Sequence, residues 1–477
     1  MKGAPKWAIK HKFRGTELRY IGGRYRLYRI TSRWNPEKKR AQKITLEFLG
    51  TITEEEGLVK PKVQQLKDNL SNASVLEHGP HALVDKLNDD IRTKLQKCYP
   101  KLWQEIWIAA QMRFIHQSPI KNWSYYYERS TLSNTYPGVK LGPKRSTSVL
   151  KEVGSDRSKI LSFLYGLCPN EKDYILIDTT HVTTKSNNID FIKKGYNNAL
   201  SFDSQINLLY IFSEEKKLPV YYRVLPGNVR EISAMKLSIA ESKLKNVVLV
   251  GDKGFYSKAN IEALKDCKID YILPLKRNYS LIDYNCIAKG DKSSMDGFFL
   301  FNNRAIWFSR ISSEIILYQD EQLRVKESTD YLCRIKENNE GYSQEEYFRK
   351  QYRFGTLALS CNIPSLAPED IYHRYKARGA IEQAFDSYKN ILDADRTYMQ
   401  GAEQMEAWSF INFLALVFYY NTYNSLLTAG LLEKFFVKDL LIRSRESKKI
   451  LVLQDWKTSE ISSKTLRIFT NIKAPIT

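Results

Sequence analysis

The stretch DYILIDTTHV, Asp173–Val182, carries an apolar run from Tyr174 to Ile177 that stops at Asp178. Such a run, short and closed by a turn-forming residue, reads as a buried strand. Working outward, SQINLLYIFS (Ser204–Ser213) and LPVYYRVL (Leu218–Leu225) flank EEKK and predict an antiparallel hairpin. REISAMKLSIAESKLK (Arg230–Lys245) is helical, NVVLVGD (Asn246–Asp252) is a strand, SKANIEALKDC (Ser257–Cys267) a helix and DYILPL (Asp270–Leu275) a strand. Strand, hairpin, helix, strand, helix, strand is an α/β layout around a mixed sheet.

The alternation stops at about Asn278. GFFLFNNRAIWFSRI and EIILYQDEQLRV read as strands, so residues 278–352 are predicted to form a β-rich insertion. FGTLALSCNI returns as a strand, and helices follow from Pro368 to about Leu432. Upstream, RYRLYRITSRW and KITLEFLG flank NPEKK and predict a β-hairpin within residues 1–60. Residues 61–170 are predominantly helical in pattern. The core is then 171–277 plus 353–432, and 433–477 is a basic tail that is poor in motifs.

The chain has 477 residues and a formal charge of +21, which points to a polyanionic partner. Residues 1–43 hold fourteen Lys or Arg against Glu17 and Glu37, with Arg24, Arg26, Arg29 and Arg33 on and beside one strand. The six cysteines form no C-x-x-C pair, which fits a reducing cytoplasm. The N-terminus lacks a secretory apolar region. The most apolar run, AWSFINFLALVFYY (Ala407–Tyr420), is too short and too polar to span a bilayer and reads as a buried helix. The expectation is a soluble protein without a membrane partner.

Asp178 and Asp252 each close a predicted strand, where chemistry gathers in open α/β sheets. Either one alone equally well starts a turn. YKARGAIEQAFDSYK, Tyr375–Lys389, reads as part of one helix on which Tyr375, Arg378, Glu382 and Lys389 share a sector of roughly 60°. Alone, that stripe is equally a solvated face with an i,i+4 ion pair. Together, three carboxylates from two strand ends and a helix would repel one another unless they held hard divalent cations. Two such ions serve in-line attack at a phosphodiester. Arg378, Lys389 and the Tyr375 hydroxyl would then contact phosphates.

The spacing Tyr-x2-Arg-x3-Glu-x6-Lys resembles the signature of the DDE transposases of insertion sequences, in the hairpin-forming, cut-and-paste branch with an RNase H-like core. IDTTHV around Asp178, LPGNVRE (Leu225–Glu231), VGDKGFYSKANI around Asp252 and AWSFINFLAL are similar to the family's further motifs, in the same order. The likeness covers roughly Lys172–Asn424. It implies Asp178, Asp252 and Glu382 as catalytic residues and ligands of two Mg²⁺ ions, for which Mn²⁺ may stand in. It implies cleavage at transposon ends by water, hairpin formation by the freed 3′-OH, and strand transfer into target DNA. The partners implied are double-stranded DNA, as terminal inverted repeats and target, and a second copy of the chain, in a nucleoid-associated cytoplasmic protein. Residues 61–170 would recognise the ends. Members of this branch stack a flipped base on a tryptophan near the signature. Residues 352–389 contain none, so Trp307 in the insertion is the candidate. Two other readings stay open: a domesticated DNA-binding protein without activity, and a stand-alone nuclease of RNase H-like fold.

Overall fold

The computed structural model describes residues 3–65, 74–169, 172–184, 186, 189, 192–194, 204–227, 231–288, 292–452 and 455–477. Asn228–Arg230, the end of the LPGNVR turn, lie outside the described residues. Two compact units make up the chain: residues 1–77 with 447–460, and residues 78–446 with 461–477.

In the first unit, β1 (Thr16–Ile21), β2 (Arg24–Asn35), β3 (Arg40–Thr53) and β4 (Gly57–Val59) form an antiparallel sheet in chain order. Its small core is Ala8, Leu18, Leu27 and Ile52, with Trp7 and Tyr25 edge-to-face over it at 5.4 Å. A second sheet pairs Val75–Glu77 with Lys448–Val452, which pairs in turn with Asp455–Thr458. The basic tail is therefore folded, with further helices at Val437–Ser444 and Ser463–Asn471 in the other unit.

The second unit is built on a large mixed sheet. Its centre holds β5 (Asp173–Thr184), β6 (Ser204–Ser213), β7 (Leu218–Pro226), β8 (Val247–Gly251) and β9 (Asp270–Leu275). The spatial order is β7-β6-β5-β8-β9; β5, β8 and β9 run parallel, β6 is antiparallel to β5, and β7 is antiparallel to β6. All five residues of β8 are buried, which is why it reads as a continuous apolar run. β10 (Gly297–Phe301), β11 (Arg304–Arg310), β12 (Ile315–Asp320) and β13 (Thr356–Cys361) extend the same sheet beyond β9.

The insertion is less β-rich than its sequence suggests. EQLRV does not continue β12 but starts a helix, Glu321–Lys336, because the Asp320 carboxylate accepts the Leu323 N–H and caps it. A second helix follows at Gln344–Lys350.

Helices cover the sheet. α1 (Trp103–His116) and α2 (Pro143–Gly154) pack on the long helix Ala402–Thr428, whereas α3 (Arg157–Tyr165), α4 (Glu231–Ser242) and α5 (Lys258–Asp266) lie against the sheet itself. The segment read as one helix is two, α6 (Pro368–Lys376) and α7 (Gly379–Asp386), followed by a π-helical turn at Ser387–Ile391. The long α8 (Ala402–Thr428) is the core helix its composition promises, with Phe410, Phe413, Leu414, Val417 and Phe418 fully buried. Among the described residues, no helix is long and apolar enough to cross a membrane.

Candidate active site

β5 and β8 pair in parallel through Ile177 and Gly251. Asp178 and Asp252 are the next residues on these neighbouring strands, so the sheet itself delivers both carboxylates to one place. Asp178 does not close its strand, as the sequence suggested. β5 continues to Thr184 because β6 still pairs with it, Asp178 standing opposite Tyr210. Only the parallel partner stops there. A Cβ on Gly251 would stand 3.0 Å from Leu273 Cδ2 and 3.2 Å from Ile177 Cγ2, so the tight packing under Asp252 leaves little room for a larger residue.

The third carboxylate comes from α7, and with it a cation. Arg378 Nη2 donates to Glu382 Oε1 at 2.8 Å and lies 3.8 Å from Asp252 Oδ1; Nη1 lies 3.6 Å from Asp178 Oδ2. One guanidinium thus gathers carboxylates from β5, from the end of β8 and from α7. Its side chain is only 17% exposed, against 59% for Glu382. Burial pulls the Arg378 pKa down, but Asp252, Tyr375, Asp178 and Glu382 outweigh it and hold the group charged. Oxygen-only donors converging on a positive charge are what a hard divalent ion requires.

The joint between α6 and α7 sets this geometry. Arg378, Ala380 and Ile381 donate to Tyr375, Ala377 and Arg378, three residues back rather than four. Such bonds overwind the chain, so a uniform 100° per residue does not hold across the signature. Tyr375 lies on α6, its ring 5.9 Å from the Arg378 guanidinium, and burial raises its pKa. Lys389 lies in the π turn, where Leu392 N–H reaches back to Ser387 O. Burial lowers the Lys389 pKa against the pull of Asp395, and burial together with Lys389 lowers that of His181. Tyr210 packs against Phe385 and Tyr388, each at 5.7 Å, and seats α7 on the sheet.

A family model described as "Transposase DDE domain" matches residues 169–418, more than half of the chain and a range that includes Asp178, Asp252 and Glu382. The chain belongs to the DDE transposase family. No curated protein sequence matches it. Among solved structures it is similar to a piggyBac transposase synaptic complex with hairpin DNA, at 10% identity, TM-score 0.39, 77% of this chain and 80% of that one.

The transposase has a further feature, at the far end of β5, that no sequence motif marks. A cleft of about 630 Å³ is lined by Lys121, Arg396, Tyr398 and Trp408 among others. Arg396–Thr397 pairs with Thr183–Thr184 at the far end of β5, which places the cleft on the strand that carries Asp178. Arg113 holds its wall. Buried to 3% exposure, it donates to Asn412 Oδ1, to the Gln117 and Ser118 carbonyls, and to the carbonyls of Leu392 and Asp393 just after the π turn. Burial pulls its pKa down to about 10. These residues come from distant segments, so spacing could not reveal them.

The transposase's other candidates are scattered. Trp307 is half-buried on β11, its ring 5.1 Å from that of Phe298 and tilted to it by 42°, and it packs on the apolar cluster that includes Leu275, Leu317 and Ala358. On β2, Arg24 follows the β1–β2 turn, Arg26 is half-buried, Arg29 faces Glu47 at 3.8 Å, and Arg33 is exposed near the far end.

Proposed function

We propose that this transposase is an active insertion-sequence enzyme of the hairpin-forming, cut-and-paste branch, and that its catalytic core is RNase H-like. The strand order β7-β6-β5-β8-β9, with an antiparallel hairpin joined to three parallel strands, supports the fold reading. The observation that carries the function is the meeting of Asp178, Asp252 and Glu382 at one cation, Arg378.

Asp178, Asp252 and Glu382 would hold two Mg²⁺, or Mn²⁺. When bound, the ions supply charge stabilisation at the attacking and leaving oxygens. The chain's own residues supply the rest. Arg378 neutralises the carboxylates while no DNA is bound. A phosphate offers it a bidentate partner in exchange, so the guanidinium passes from the carboxylates to the DNA backbone. Tyr375 steadies it by stacking, and Lys389 adds a second positive charge further along the chain. The substrates are double-stranded terminal repeats and then target DNA, and a second copy of the chain would complete a synaptic pair. Arg24, Arg26, Arg29 and Arg33 would add contacts to DNA, and Trp307 is retained as the candidate for stacking on a flipped base.

The test is cleavage of supercoiled plasmid in Mg²⁺, with and without the inverted repeats that flank the coding sequence. A transposase cuts only the plasmid with repeats and leaves hairpin ends. Cutting of both plasmids would identify a nuclease, and cutting of neither a silent DNA-binding protein.

A further inference from the structure

The hairpin of β2 and β3 outgrows the sheet that supports it. β1 accompanies β2 only from Arg24 to Arg29, and β4 accompanies β3 only from Thr51 to Thr53. From Thr31 to Leu46 the two backbones pair only with each other among the described residues, and β1 reaches the base of this arm only through side chains, Glu17 to Lys43 and Arg19 to Thr45. Almost every residue of this arm is exposed, on both faces, including Trp34 at 63% and Leu46 at 58%. A two-stranded ribbon without a covered face is marginal in water. Its length therefore needs a reason other than folding.

The arm's composition supplies one. Arg33, Lys38, Lys39 and Arg40 stand against a single acid, Glu37, while Lys43 is paired with Glu17 of β1 at 3.1 Å. The register pairs Arg33 with Gln42 and Asn35 with Arg40, and cross-strand partners two residues apart share one face. That face is a row of guanidinium and carboxamide groups. The tip is held in shape: Asn35 Oδ1 accepts the N–H groups of Glu37 and Lys38, and Asn35 Nδ2 donates to Gln42 Oε1 at 3.0 Å.

We propose that the arm from Thr31 to Leu46 enters the major groove of duplex DNA and reads base edges with Arg33, Arg40 and Gln42 of that face, while Asn35 holds the tip. The groove, about 12 Å wide, admits a two-stranded β-ribbon, and arginine with guanine and Asn or Gln with adenine are its best-matched side-chain contacts. The basic residues at the tip answer the phosphates on either side. The inference rests on the reading of the chain as a DNA-acting transposase and makes the arm its sequence reader, while Arg24, Arg26 and Arg29 belong to the supported part of the sheet.

The experiment measures binding by the full-length chain in EDTA, so that cleavage does not intrude. Fluorescence anisotropy is recorded with a labelled duplex of the flanking inverted repeat and with a scrambled duplex of equal length. Arg33→Ala with Arg40→Ala should lose about 10- to 100-fold on the repeat and much less on the scrambled duplex. Arg33→Lys with Arg40→Lys should keep the affinity for scrambled DNA and lose the preference. Replacing the repeat's purines with 7-deaza analogues, which lack the major-groove N7 acceptor, should weaken the parent and leave the double alanine variant nearly unchanged. Equal losses on both duplexes with no 7-deaza effect would reduce the arm to a backbone contact and overturn the proposal. So would parental binding by the alanine variant, or a loss of self-association by ultracentrifugation in place of a loss of DNA. A parent that shows no preference for the repeat would instead refute the transposase reading itself.

Discussion

The Arg378 guanidinium lies 3.6 Å from the Asp178 carboxylate, bridging a helix joint and a central strand that are far apart in sequence. With Asp252 and Glu382 added, three negative charges are arranged around one positive charge. Removing the cation should leave three carboxylates facing one another. Arg378→Ala is expected to lower stability in EDTA by about 1–2 kcal/mol, a value kept small by the exposure of Glu382. Mg²⁺ should restore more stability to this variant than to the parent. Thermal melts with and without Mg²⁺ measure the difference. Equal melting temperatures in EDTA would mean that the guanidinium does not neutralise the cluster.

The carboxylates themselves should separate chemistry from binding. Asp178→Ala, Asp252→Ala and Glu382→Ala are each expected to abolish strand cleavage and leave affinity for the terminal repeat nearly intact, because positioning contacts lie elsewhere. A gel assay on repeat DNA, paired with a binding titration, reads both. Full cleavage by Glu382→Ala would remove it from the site.

Lys389 sits where the π turn has rotated it off the α-helical path. Lys389→Ala should weaken the complex near the cleaved phosphate by about 1.5–3 kcal/mol, the worth of a hydrogen bond to a charged group. Hairpin formation should fall with it, measured against first-strand nicking on the same DNA. Parental hairpin yield would return Lys389 to an ordinary helix-surface role.

Much of the core was legible because its strands are buried on both faces. β8 could hardly be read otherwise, and the helical character of Tyr375–Lys389 was visible in its apolar spacing. The joint at Ala377–Arg378 was not legible. Both residues keep right-handed helical dihedrals, and the change lies in which carbonyl each N–H selects. The π turn was hidden for the same reason. Asp178 was read as a strand end because the apolar run stops there, yet β6 carries the pairing on through polar residues. The union of β9 with β13, Ile272 opposite Cys361, is long-range and leaves no local trace. The cleft of Lys121 and Arg396 exists only once the chain is folded.

Two helical glycines should respond oppositely to alanine. A Cβ on Gly154, at the end of α2, would lie 1.7 Å from the Glu403 carbonyl oxygen of α8, whereas one on Gly379 meets nothing within 4 Å. Gly154→Ala must push two packed helices apart, at a cost of about 1–3 kcal/mol. Gly379→Ala should be neutral or gain up to about 1 kcal/mol from helix propensity. Differential scanning calorimetry on both variants decides. A stable Gly154→Ala protein would mean that α2 and α8 are not in such close contact.

A last prediction concerns acid stability, through Arg157. It donates to Glu241, pairs closely with Glu406, and lies over the Tyr222 ring at 5.4 Å, tying α3, α4 and α8 to β7. Burial raises the Glu241 pKa, but the hydrogen bonds from Arg157 and Tyr221 and the charges of Arg157 and Arg223 bring the net shift below the ordinary carboxylate value of 4.5. The folded state therefore binds this proton less readily than the unfolded one. The stability Glu241 contributes is fully present above the unfolded-state value and is lost as pH falls through the folded-state value. Arg157→Met removes the main counter-charge, and Arg223, 3.1 Å from Glu241, compensates only in part. Near neutral pH the variant should be less stable by about 2–3 kcal/mol, below the range for a fully buried pair because these groups retain some solvent contact. Below about pH 4 the gap between variant and parent should narrow, since Glu241 is then becoming protonated in both. Urea denaturation at pH 7, 5 and 3 checks the slope. A gap that stays constant across that range would show that Arg157 acts through packing on Tyr222 and not through the Glu241 charge.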